Sequence, residues 1–212
     1  MWLAGSRALR IAATGVLWAA VAAAGTSSWA ASAGSSDALK LADWVKRSAD
    51  HQGRPFAVVD KRAARIYVYD GAGVLVGQSA ALLGATPGDH TVPGVGQRAQ
   101  TGSVRDDERT TPAGRFDSVP GRNLTGEHVV WADYASAFAI HRVRPGRSQA
   151  LRTSRLGTDS PADNRVSDGC VVVPPRFYQQ VVQKVMGGVR SVTYVLPESR
   201  SAAEFMAALE QQ

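Results

Sequence analysis

The stretch "RVSDGCVVVP", residues 165–174, holds Cys170, the single cysteine of the chain. A lone thiol has no partner for an internal disulfide. Three uses remain: a small buried hydrophobe, one half of an intermolecular disulfide, or a nucleophile. The last needs a group that generates thiolate, and donors for the oxyanion formed when sulfur attacks a carbonyl. Gly169, directly before the cysteine, permits unusual dihedrals, so the amides of Gly169 and Cys170 can converge on one spot. The valines at 171–173 read as a rigid strand, which sets Cys170 at a turn-to-strand junction. Four histidines are available as bases: His51, His90, His128 and His141. His141 closes the apolar run "SAFAIH" at a predicted strand end that leads through an arginine-rich segment back to the cysteine. It is the best-placed partner, and the other three read most simply as surface residues. Neither HExxH nor CxxC spacing occurs, so a zinc site has little support, and no cofactor is expected.

The elements that must position these residues are legible from their patterning. Residues 35–50, "SSDALKLADWVKRSAD", carry apolar residues at mostly helical spacing behind a Ser N-cap, and predict a leading helix. "FAVVD", "ARIYVYD" and "GVLVGQSAALL" are short β-branched and aromatic runs separated by turn residues, the pattern of an antiparallel meander. Residues 84–112 show no sustained period and read as a long loop. "AGRFDSV", "EHVVWAD" and "SAFAIHRV" resume strand patterning, and a second loop spans residues 144–165. After the cysteine strand, "PPRFYQQVVQKVMGG" reads as a helix opened by proline and closed by glycine, "SVTYVLP" as a last strand and "SAAEFMAALEQQ" as a terminal helix. The predicted fold class is mostly β with flanking helices (α+β). Its segments are a helical one over 34–53, a single catalytic domain over 54–197 and a C-terminal helix over 198–212.

Residues 1–33 predict an export signal, with Arg7 and Arg10 before the apolar "IAATGVLWAAVAAAG" and small residues offering cleavage sites. An uncleaved anchor is the alternative, although about 15 apolar residues fall short of the roughly 20 that span a bilayer. A lipid anchor is disfavoured because no cysteine lies there. The expected location is the periplasm or cell envelope. The net charge is +6. It suits anionic envelope material such as carboxylate-bearing peptides, and no basic and aromatic stripe accompanies it to suggest nucleic acid.

Three blocks together resemble the L,D-transpeptidase catalytic domains of bacterial cell-wall enzymes. "FAVVDKRAARIYVYDGAGVLV" is similar to the family's opening hairpin, "TTPAGRF" to its Thr-Pro-x-Gly-x-Phe element, and "AIH…RVSDGCVVVP" to its His…Ser-x-Gly-Cys signature. The resemblance implies a β-sandwich or barrel domain in which Cys170 attacks a peptidoglycan tetrapeptide stem, releases the terminal D-alanine and holds the stem as a thioester. An amine of a second stem, an envelope protein or water would then accept the acyl group. It implies proton transfer by His141, with the Arg142 carbonyl orienting the ring. It further implies oxyanion stabilisation by the amides of Asp168, Gly169 and Cys170, and bracing of the turn by Ser167. The chain departs from the family's pattern at Asp168, usually His, and at Val172, commonly Arg or Asn; its His141-to-Cys170 segment is also longer. A carboxylate beside the thiol disfavours thiolate.

The enlarged segment carries Arg142, Arg144, Arg147, Arg152, Arg155 and Arg165, which could offset Asp168 and bind substrate carboxylates. Arg165, five residues before the cysteine, is expected to reach the same pocket, and its loss to lower turnover more than that of Arg147. Two rival readings remain: a catalytically weak or inactive relative that binds cell-wall peptide or scaffolds an envelope assembly, and a sortase-like transpeptidase, which leaves "TTPAGRF" unexplained.

Overall fold

The computed structural model describes residues 35–211; the predicted export segment lies outside them. Among the described residues ten strands follow one another in chain order: β1 (Phe56–Asp60), β2 (Arg65–Tyr69), β3 (Leu75–Ala80), β4 (Leu83–Gly84), β5 (Gly114–Arg122), β6 (His128–Asp133), β7 (Phe138–Arg142), β8 (Arg165–Ser167), β9 (Val171–Val173) and β10 (Ser191–Leu196). Eight form one sheet in the order β3-β2-β1-β10-β5-β6-β7-β9, and β4 pairs with β8 beside it. The expected meander is β3-β2-β1, antiparallel throughout. Parallel pairing occurs at β1 with β10 and at β7 with β9.

The sheet curls until its two ends nearly meet. Directly after β3, Leu82 exchanges both backbone hydrogen bonds with Val172 of β9, at 2.7 and 2.9 Å. Curling gives the sheet an inside and an outside. Alternate residues of β1 and β2 divide between them: Ala57, Val59, Ile66 and Val68 join the inner cluster, while Phe56, Val58, Tyr67 and Tyr69 join the outer one. The inner cluster is filled by Phe177, Tyr178, Val181, Val182 and Met186. These come from a helical run over residues 175–186, formed by α4 (Pro175–Phe177), a π-helical turn (Tyr178–Val182) and α5 (Gln183–Met186).

The outer cluster is covered by α1 (Ser36–Ser48) and α6 (Ala202–Leu209). In α1 the buried Ala38, Leu41, Ala42 and Val45 recur at helical spacing, and Ser35 caps the helix by accepting the Ala38 amide at 3.1 Å. Trp44 Nε1 donates to Glu210 at 3.0 Å and ties the two terminal helices together. The leading helix is thus part of the domain's packing. No helix among the described residues is long and apolar enough to cross a membrane.

Both segments expected as loops contain helices. Residues 84–112 include α2 (Val95–Thr101) and a 3-10 turn, and residues 144–165 include α3 (Gln149–Leu156) and another. The reason is visible in their burial: α3 buries no residue and α2 only Val95 and Gly96, so neither imprints an apolar period on the sequence.

Candidate active site

Cys170 is half-buried, immediately before β9, and His141 is buried near the end of adjacent β7. The parallel register pairs His141 with Val172. Strand alternation returns the side chain two residues earlier, that of Cys170, to the same face. The imidazole and the thiol thus lie on one side of the strands, and both line one cavity of about 250 Å³. Arg144, Arg152, Ser167, Asp168, Gly169, Val172 and Thr110 also line it, with an apolar wing at Val129, Trp131 and Phe138.

His141 Nδ1 lies 2.8 Å from the Arg142 carbonyl, the contact expected from the sequence. A carbonyl can only accept, so Nδ1 carries the proton and Nε2 is left as the basic nitrogen. Burial drives the imidazole pKa down to about 4, assisted by the positive charge of Arg144 and Arg152; the Arg142 hydrogen bond opposes this. Burial likewise pushes the Cys170 thiol up. A hydrogen bond from the Ala139 amide and the charges of Arg144 and Arg152 favour the thiolate, and Asp168 disfavours it. The resting pair is therefore neutral thiol and neutral imidazole. Cys170 Sγ donates to the Ala137 carbonyl at 3.4 Å.

The turn that carries the thiol is fastened from several sides. Ser167 Oγ donates to the Cys170 carbonyl at 2.6 Å and accepts the Gly169 amide at 3.2 Å, the bracing role implied by its position in the motif. The Gly169 amide, one of the three that the resemblance implies for an oxyanion, is thereby engaged. Gly169 has φ +123°, and a Cβ there would lie 2.9 Å from the Thr110 carbonyl oxygen, so the position requires glycine. Asp168, at the exposed edge of the cavity, pairs with Arg109 at 3.2 Å. The charge that offsets it thus comes from the loop before β5, outside the enlarged segment.

The arginines divide by position. Arg144 and Arg152 line the cavity. Arg144 also reaches Glu127 at 3.2 Å, whereas no ion pair engages Arg152 among the described residues. The Arg142 side chain is held by Glu127, and its carbonyl contacts His141 Nδ1. Arg165 does not line the cavity, contrary to expectation. Its guanidinium pairs with Glu198 and donates to the Lys61 carbonyl at 3.1 Å, because β8 runs beside β4 and faces a buried ion cluster instead. Arg155 donates to the Asp163 carbonyl at 3.0 Å.

His128 contacts Tyr178 Oη at 2.8 Å and the Gly187 carbonyl at 2.9 Å, and His51 faces the Val45 and Gly71 carbonyls, so neither belongs to the cavity. Among the described residues no group of three or more His, Cys, Asp or Glu side chains could hold a metal. The contacts that Thr110 and Arg109 make with the cysteine turn are not legible in the sequence; the "TTP" run is the one signal near them.

No family model matches the chain, and no curated protein matches it. The solved structures that it resembles include L,D-transpeptidase catalytic domains. One is an LD transpeptidase in complex with imipenem, 16% identical over 67% of this chain and 58% of that chain, with TM-score 0.37. Another is the catalytic domain of the E. faecium L,D-transpeptidase, 19% identical over 68% of this chain and 98% of that one, with TM-score 0.36. A third is an L,D-transpeptidase from Mycobacterium smegmatis, 17% identical over 67% and 58%, with TM-score 0.37. The match spans 58% of the length of the first and third of these structures.

Proposed function

We propose that the protein is an exported cysteine acyltransferase acting on peptide stems of peptidoglycan. The observation that carries this reading is the placement of Cys170 and His141 on one face of β7 and β9, inside one cavity, with the imidazole oriented through Nδ1. The motif resemblance supplies the substrate class. In the proposed reaction His141 Nε2 takes the thiol proton as sulfur bonds to the penultimate carbonyl carbon of the stem. The amides of Asp168 and Cys170 receive the oxyanion. Collapse breaks the C–N bond, the imidazolium returns its proton to the departing D-alanine amine, and a thioester remains. An acceptor amine then attacks the thioester and yields a crosslink, or water yields a shortened stem. Of the six arginines that could bind substrate carboxylates, Arg144 and Arg152 line the cavity, and their guanidiniums bind carboxylates of the stem in place of Arg165 and the Arg142 side chain.

Incubation with purified disaccharide tetrapeptide, followed by mass analysis, tests this reading. Crosslinked dimer or tripeptide supports it, and Cys170→Ala should abolish both; unchanged substrate with the wild-type protein would refute it. A second reading, a binding-only relative, is favoured by the raised thiol pKa and by Val172 in the place of a polar residue. Acylation of Cys170 by a carbapenem, seen as one added drug mass, separates the two. A binding-only protein reacts no faster than a free thiol.

A further inference from the structure

Behind the cysteine turn lies a buried ion cluster that the chemistry above does not use. Lys61 follows β1 with its side chain fully buried. Its Nζ donates to the Gly88 carbonyl at 2.5 Å, Asp89 Oδ1 at 2.6 Å and the Thr111 carbonyl at 3.0 Å. Asp89 is as deeply buried and accepts the amides of Glu198 at 2.8 Å and Ser199 at 2.9 Å. Glu198 lies 3.6 Å from the ammonium and pairs with Arg165. Desolvating such charges is costly, and a well-packed apolar group often serves stability as well, so the pair itself is weak evidence of a stabilising role.

What distinguishes the cluster is its contact with Thr111. That residue is fully buried, and its hydroxyl accepts the Gly84 amide at 2.8 Å and donates to the Gly169 carbonyl at 2.8 Å. The backbone around it has no slack: a Cβ on Gly84 would lie 2.6 Å from the Thr111 nitrogen. The Gly169 carbonyl and the Cys170 amide belong to one planar trans peptide, so fixing the oxygen fixes the opposite direction of the N–H.

We propose that Lys61 and Thr111 are positioning residues that aim the Cys170 amide at the oxyanion, the buried ammonium holding Thr111 and Thr111 holding the Gly169 carbonyl. The inference deepens the acyl-transfer reading and rests on it only in that an oxyanion forms at Cys170.

The test compares two reactions of the same thiol in the full-length protein. Acylation by p-nitrophenyl acetate passes through an oxyanion; alkylation by iodoacetamide does not. Thr111→Val should slow acylation about tenfold or more while alkylation changes less than about threefold, and Thr111→Ser should restore the wild-type ratio. Lys61→Met should shift the ratio in the same direction. If that variant is too unstable to purify, the Thr111 pair decides, since it leaves the ion cluster in place. Equal slowing of both reactions, or no slowing of either, in folded Thr111→Val would overturn the proposal. Wild-type protein acylated by the ester but inert towards tetrapeptide would sink the peptidoglycan reading and leave the ratio test intact.

Discussion

His141 carries its imidazole neutral because burial excludes the charged form, and this has a consequence for stability. Its folded pKa, about 4, lies below the ordinary 6.5, so between those values the unfolded chain binds a proton that the folded chain refuses. The contribution is complete above about pH 6.5 and is lost as pH falls towards 4, a difference of about 3 kcal/mol. Urea denaturation should show stability falling over that window, and His141→Gln should remove most of the slope; an unaltered slope would place the proton elsewhere. The thiol gives a kinetic counterpart. Because burial raises its pKa, iodoacetamide alkylation of Cys170 should climb through pH 8 without a plateau, and Arg152→Ala should push the midpoint higher still. A plateau below pH 7 would mean a stable thiolate and contradict the neutral resting pair. Arg165 belongs to a different class of residue. Arg165→Ala leaves the Glu198 carboxylate without its guanidinium, so it should cost about 3 kcal/mol in thermal unfolding and spare KM, whereas Arg152→Ala should raise KM and spare stability.

At the level of elements, α3 and the Thr110–Thr111 run play opposite parts. The helix α3 buries no residue of its own, and it touches the site through Arg152 at the cavity and Leu156, which packs against the cluster of Leu82, Val143 and Val172. Replacing residues 147–158 by a glycine-serine linker should therefore cost at most about 1 kcal/mol of stability while raising KM. A large drop in Tm would show that the helix is structural. The threonine run instead lies between β4 and the cysteine turn with no free space on either side. Its resemblance to a family motif was visible in the sequence, but its work was not, because the partners of Thr111 are Gly84, Gly169 and Lys61, separated from it along the chain and brought together only by β4, the turn and the end of β1.

At the level of the molecule, the curled sheet has two apolar faces and both are covered, the inner by the helical run over 175–186 and the outer by α1 and α6. The leading helix is thus needed for the domain to close its outer core. Leu41→Ala, at a fully buried position far from the cavity, should cost about 2–5 kcal/mol and leave the chemistry of folded protein unchanged. A cost near zero would mean that α1 is a detachable linker after all.

The sequence by itself determined the eight strands of the main sheet, because β-branched runs bounded by turn residues fold locally in one way, but not the short β4 and β8; it also determined the leading and terminal helices, whose apolar faces repeat at helical spacing. It also singled out Cys170 and His141, since a lone thiol after a glycine and a histidine at a strand end are local features. Only the tertiary structure decided which arginines face them. Arg144, Arg152 and Arg165 are equally charged, and Arg165 is the nearest to Cys170 in sequence, but the chain after β7 and the placement of α3 bring the first two to the cavity, and the β4–β8 pairing turns the third towards Glu198. Direction across a sheet depends on pairing between distant strands, and no local pattern of residues encodes it.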